Sequence, residues 1–361
     1  MLFYSDGLRA YAGGSPSPKD EDMPMKTFRP GTRPAVHRVL AALALAAGAT
    51  GHALTALAQR AESYPSRPVM VVAGIAAGGP IDLEARLYTP RIGALLGQSF
   101  VLDFKPGASG TIGAALVARA KPDGYTLMVV SAGFTVFPSF YKDLSFDVVK
   151  DFAPVSLMSE RTSVLQVPVS FPVKSFPEYI AHARANPGKI NYGTTGAGSI
   201  THLAGAWMHG ATGTKVTFIP YKGTGPLLLE LVAGRVDVAS GTLVAALPII
   251  RQGKVRPIAI LNDRRSRLMP EVPTVAEQGV PGYNYSNWIG FLAPGGTPAA
   301  IVSKLSEGFA RVAKVPEVVA ALEAEGSVAV GSTPAQFRQL IVTETARWQK
   351  VVDDNGIRIQ E

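Results

Sequence analysis

Val69-Met70-Val71-Val72 runs into Gly74-Ile75-Ala76-Ala77-Gly78-Gly79-Pro80, and the stretch from Ile81 to Leu96 then reads as helix. A short β-branched run, a glycine-rich turn and a long helix make one βα unit, and Pro90 is expected to kink or divide that helix. Outward from it, Phe100–Phe104 reads as the next strand. Pro106-Gly107-Ala108-Ser109-Gly110 leads into a helix ending near Ala120, and Thr126–Val130 is a third strand. Strands alternating with helices predict parallel sheets built from βαβ units.

The pattern returns in the second half. Lys189–Tyr192 reads as a strand, Gly193-Thr194-Thr195-Gly196-Ala197-Gly198-Ser199 as a turn, and Ile200 to Ala211 as a helix. Val216–Pro220, Val236–Ala239 and Arg256–Leu261 read as strands, with Pro226–Ala233, Pro298–Val312 and Pro334–Asn355 as helices. Two α/β halves imply a cleft. In open α/β sheets ligands sit beyond the carboxyl ends of the strands, where both glycine-rich turns lie.

Composition narrows the possibilities. Of 361 residues, 47% are hydrophobic and 17% charged, which supports sizeable cores and excludes a disordered chain. The net charge of +8 is scattered, with its densest cluster at Arg264, Arg265 and Arg267. No long basic stripe marks a nucleic-acid surface, so no nucleic-acid partner is expected. With no cysteine, disulfides, thiolate metal sites, cysteine catalysis and a lipoprotein anchor are excluded.

Residues 1–58 read as a leader and signal peptide. Lys26, Arg29, Arg33 and Arg38 precede the apolar run Val39 to Ala49, and Ala56-Leu57-Ala58 offers a small-x-small cleavage site. Export to the periplasm is the expectation, with no later stretch long enough to span a bilayer.

Catalytic motifs are missing. His202 and His209 are seven apart, about 10.5 Å along a helix, too far for one metal in the simplest geometry. No His-Glu-x-x-His, Gly-x-Ser-x-Gly elbow or P-loop occurs. Neither metal nor cofactor is expected, and the chain reads as a binder. A secreted hydrolase-like enzyme on a similar two-lobe scaffold is the alternative of a different class.

The turns suit an anion. Glycines let main-chain N–H groups approach a ligand, and helix N-termini add unpaired donors and a positive dipole end. Candidate contacts are Ala76, Ala77, Gly78 and Gly79 from one half. From the other come Thr194, Thr195, Gly198, Ser199 and Thr201. Asp82 is a candidate for capping the first helix or for touching the ligand.

Further motifs follow in a fixed order. They are Tyr64-Pro65-Ser66-Arg67-Pro68, Pro122-Asp123-Gly124-Tyr125, Pro220-Tyr221-Lys222-Gly223, Pro273-Thr274-Val275-Ala276-Glu277 and Ala293-Pro294-Gly295-Gly296-Thr297-Pro298. With the two turns, they make the chain resemble the extracytoplasmic receptors of tripartite tricarboxylate transporters, the Bug family, from about Tyr64 to Ile359. The resemblance implies a type II periplasmic-binding-protein fold. Residues 59–164 plus 288–361 would form one lobe and 165–287 the other, with crossings near Leu165 and Trp288. It implies a small carboxylate as cargo, a membrane permease as partner, and a sensor kinase as a second partner if the receptor also signals. Ser131 matches a small polar pocket position. Where the family often reads Phe-Asp-Asn-Leu, this chain has Ser240-Gly241-Thr242-Leu243. With Gly241 lining it, the pocket is expected to be roomier and less negative, suiting an aromatic carboxylate or dicarboxylate.

Overall fold

A computed structural model describes residues 64–141 and 143–357. The leader and export signal expected over residues 1–58 lie outside them. In chain order the first half comprises β1 (Val69–Ala73), α1 (Pro80–Leu96), β2 (Phe100–Phe104), α2 (Thr111–Ala118), β3 (Thr126–Ser131), α3 (Phe137–Phe140) and β4 (Phe152–Arg161). Then follow β5 (Ser163–Pro168), α4 (Phe176–Ala185), β6 (Asn191–Thr194), α5 (Ile200–Thr212), β7 (Thr217–Pro220), α6 (Thr224–Val232), β8 (Val238–Thr242), α7 (Leu243–Arg251) and β9 (Val255–Ile260). The chain closes with β10 (Asn287–Pro294), α8 (Ala299–Val312), α9 (Pro316–Ala324), β11 (Ser327–Ala329) and α10 (Pro334–Asn355).

Two sheets result, ordered β11-β4-β10-β3-β1-β2 and β7-β6-β8-β5-β9. The chain leaves the first sheet after Arg161 and enters the second at Ser163, so Thr162 alone joins them. It returns between Ile260 and Asn287. The sheets are mixed rather than parallel throughout. β10 runs antiparallel to both β3 and β4, and β5 antiparallel to both β8 and β9. A strand that re-enters from the other lobe starts at the cleft end, so its direction is reversed.

Both sheets are buried on two faces. One face of the first packs Val71, Val129 and Phe291 against Tyr88 of α1 and Phe309 of α8; the other sets Val130 and Leu292 against Phe337 and Ile341 of α10. The second sheet covers Leu165 and Val238 with α4 and α5, and its far side with α6 and α7. α10 serves both lobes: its N-terminal half packs on the first sheet, while Trp348, Val351 and Val352 join the core of the second.

Local chemistry explains the helix boundaries. Thr333 and Gln336 form a reciprocal capping box for α10, which ends at Gly356 with φ 59. α1 runs through Pro90 without being divided there. Pro90 and Arg86 are both exposed, so water can take the Arg86 carbonyl that loses its helical donor. The strand before the second glycine turn begins at Asn191, two residues later than its pattern suggests.

Candidate functional site

β1 delivers the first turn at its carboxyl end. Gly74 is obligatory there, because a Cβ would lie 2.8 Å from the Gly110 carbonyl oxygen. Ala76, Ala77 and Gly78 are exposed, and Gly79 is the N-cap of α1. Asp82 is buried. One of its oxygens accepts the Gly78 N–H at 2.8 Å, and the other meets Arg86 Nε at 2.7 Å. The carboxylate therefore shapes the turn, and it consumes the Gly78 amide that sequence reasoning had offered to a ligand. Pro80 has no amide to give. Ile81 and Asp82 N–H, in the first helical turn, have no carbonyl one turn earlier.

The second turn is a hydroxyl network. Thr195 N–H donates to Thr201 Oγ1 at 3.0 Å, and the Thr195 and Thr201 hydroxyls lie 2.9 Å apart. Ser199 Oγ is 2.9 Å from Thr201 Oγ1 and donates to the Gly196 carbonyl at 2.7 Å. Ser199 is also the N-cap of α5, accepting the His202 N–H. With the Ser199 proton committed to Gly196, Thr201 can donate to Thr195. That arrangement leaves the Thr195 O–H free to turn outward toward an acceptor. Thr194 Oγ1 donates to the same Gly196 carbonyl at 3.2 Å.

Sequence reasoning missed His202. Its Nδ1 accepts the Gly198 N–H at 3.1 Å, which takes that amide out of ligand binding and requires the Nε2–H tautomer. Burial lowers the pKa of this histidine and favours the neutral ring that the bond needs. His209 is a packing residue. It is buried between the Tyr179 hydroxyl at 3.0 Å and Thr214 Oγ1 at 2.6 Å.

Ser131 ends β3, opposite Ile289 of β10, and leads into a turn of 3-10 helix, Ala132–Val136. Val136 packs into the core of the second lobe. Gly241 lies in β8 beside Val164 of β5. It is buried, yet a Cβ on it would meet nothing within 4 Å, so space remains at this strand end. The structure thus gathers Thr194, Thr195, Gly198, Ser199 and Thr201 into one cluster, and Ala76 to Gly79 with Asp82 into another. Among the described residues, no hydrogen bond joins the two clusters.

A cavity of about 980 Å³ opens elsewhere, between α2, α3 and the end of α10, and contains none of these residues. Its lining carboxylates, Asp143 and Asp353, would repel an anion. Among the described residues no group of three His, Asp or Glu could hold a metal ion. No described helix is long and apolar enough to cross a membrane.

This geometry has relatives. The family model described as "Tripartite tricarboxylate transporter family receptor" matches residues 85–357. The chain belongs to that family. BugT of Bordetella pertussis is 34% identical over 83% of this receptor and 93% of its own length. Among solved structures, R. palustris Rpa4515 with adipate is 35% identical, with a TM-score of 0.67, over 82% of this receptor and 99% of that chain. MatC (Rpa3494) from Rhodopseudomonas palustris with bound malate is 34% identical, with a TM-score of 0.64, over 80% of this receptor and all of that chain. The receptor therefore has the two-lobe periplasmic-binding-protein fold, with a cleft between the lobes.

Proposed function

We propose that this receptor captures a small organic carboxylate in the periplasm and delivers it to a membrane permease, without chemically altering it. The observation that carries this reading is the Thr195–Thr201–Ser199 network at the start of α5. Its hydroxyl protons can be arranged to present one outward donor beside unpaired first-turn amides. The unpaired amides of α1 supply a second set of donors from the other lobe. Adipate and malate in the two related structures support an acid as the guest.

The contacts we assign are Ala76, Ala77, Gly79, Ser131, Thr194, Thr195, Ser199, Thr201 and Gly241. Gly78, Gly198 and Asp82 hold the turns in shape. We take the lobes as residues 59–162 with 287–361, and residues 163–286, moving the expected bounds by two residues and by one so that Ser163 and Val164 of β5 join the second lobe and Asn287 of β10 the first. The change of sheet at Thr162 and the return before Asn287 support this division. Removal of the leader at Ala58 would release the receptor into the periplasm. The space at Gly241 favours an aromatic carboxylate or a dicarboxylate over a compact amino acid.

Thermal shift across aliphatic monocarboxylates, dicarboxylates and aromatic acids tests the reading, with mass spectrometry of the recovered ligand. Stabilisation by a dicarboxylate or aromatic acid, recovered unchanged, is expected. Turnover would make the protein an enzyme, and stabilisation by short aliphatic acids alone would remove the larger guests.

A further inference from the structure

The single residue between the sheets is tied in opposite directions. Thr162 N–H donates to the Gly326 carbonyl, in the turn before β11, at 3.2 Å. Its own carbonyl accepts the Leu243 N–H, at the start of α7, at 2.8 Å. One side of Thr162 is thus anchored to each lobe, and relative rotation of the lobes must be taken up in its backbone dihedrals and in the return segment before Asn287.

Asn262 spans this pivot. It is 7% exposed, and its Oδ1 accepts the Ser163 N–H at 2.7 Å while its Nδ2 donates to the Arg161 carbonyl at 3.1 Å. The two bonds differ in kind. Ser163 belongs to the second sheet, opposite Thr242, and its carbonyl accepts the N–H of Leu261, the residue before Asn262. Asn262 and Ser163 therefore move together. Arg161 belongs to the first sheet, between Asn287 and Ser327, and its guanidinium is held by Glu84 of α1 at 2.8 Å and Glu325 at 3.5 Å. The bond from Nδ2 to the Arg161 carbonyl is the one that crosses between bodies.

We propose that Asn262 is the catch of the hinge: its side-chain amide holds the lobe arrangement described here and releases the Arg161 carbonyl when the lobes rotate. Any buried carbonyl left unpaired by that release is disfavoured, so the bond biases the balance between lobe arrangements. Asn262 touches no ligand in this scheme; it is a positioning residue. The inference rests on the two-lobe architecture and not on the nature of the cargo.

The native chain has no cysteine, so spin labels can be placed uniquely at Val101→Cys and Leu229→Cys, both exposed and in different lobes. Inter-label distances are measured without ligand in this background and with Asn262→Asp added. Aspartate keeps the acceptor for Ser163 N–H and loses the donor to Arg161. The minor lobe arrangement is expected to gain about fivefold or more in population, the ratio that one hydrogen bond supplies. Asn262→Ala, which loses both bonds, should shift it in the same sense and also speed hydrogen exchange at the Ser163 amide. Distance distributions identical to the parent in both variants, even with a lowered melting temperature, would make Asn262 merely structural and overturn the proposal. Because no ligand is added, failure of the carboxylate reading would leave this result untouched.

Discussion

The Trp288 indole N–H donates to Glu344 Oε2 at 2.9 Å, tying the strand that re-enters the first sheet to the middle of α10. Thr135 Oγ1 donates to the same oxygen at 3.3 Å. Glu344 is 1% exposed, and burial pushes its carboxyl up to about 7, against the pull of Trp288, Arg347 and Thr135.

Folded, Glu344 keeps its proton up to about pH 7; unfolded, it releases it near the ordinary carboxyl value of 4.5. The stability from that extra proton is fully present below pH 4.5 and is lost as pH rises through 7. Its size is on the order of 3 kcal/mol. His209 acts oppositely. Burial lowers it from 6.5 to about 3, so its share is lost as pH falls through that window. Glu344→Gln keeps an acceptor for Trp288 and removes only the carboxyl titration. Urea unfolding at pH 5 and pH 8 is expected to show wild type losing roughly 1–3 kcal/mol more than the variant across the interval. Equal losses would mean the carboxyl titrates normally.

Ser199 and Thr195 should separate stability from binding. Ser199→Ala removes the α5 cap and costs about 1 kcal/mol of stability, with weakened carboxylate affinity as Thr201 loses its neighbour. Thr195→Val keeps the shape and leaves stability nearly unchanged. It should still weaken binding by about 1.5 kcal/mol or more, one hydrogen bond to a charged group. Calorimetry finding wild-type affinity in Thr195→Val would remove that hydroxyl from the site.

Gly74→Ala forces a methyl to within 2.8 Å of a main-chain oxygen and 3.0 Å of the Gly110 Cα. Neither atom is a flexible side-chain tip, so the first turn must shift. A loss of about 1–3 kcal/mol is expected by denaturant midpoint, together with weakened ligand binding. A variant as stable as wild type would show that the Gly107–Gly110 turn yields freely.

Gln166 is fully buried in β5, and neither its amide nitrogen nor its amide oxygen has a partner among the described residues. Its neighbours Ala239 and Pro257 are apolar. Gln166→Met has similar length and no group to desolvate, so it should raise stability by about 1 kcal/mol or more. A fall in the urea midpoint would point to an internal water that satisfies the amide.

Local signals were read well where one residue does one local job. The β1 turn and the span Pro334–Asn355 follow from short-range rules of glycine and helical period, which act within a few residues, whereas Ser199, read as a ligand contact, proves also to cap α5. The fate of individual donors was not legible. Gly78 and Gly198 read as ligand amides, yet Asp82 and His202, each four residues on, accept the hydrogen bonds of those N–H groups. Spacing allowed these bonds, but only the folded turn shows that they form.

By itself the sequence determined the α/β class, the two glycine turns and the family, because strand, turn and helix chemistry is written in adjacent residues. The tertiary structure alone decided the direction of β5 and β10. It also decided the Asn262 bridge, 101 positions from Arg161, and the burial of Glu344 between two distant segments. Those features depend on which residues meet across long stretches of chain. Long-range packing sets that, and no local pattern encodes it.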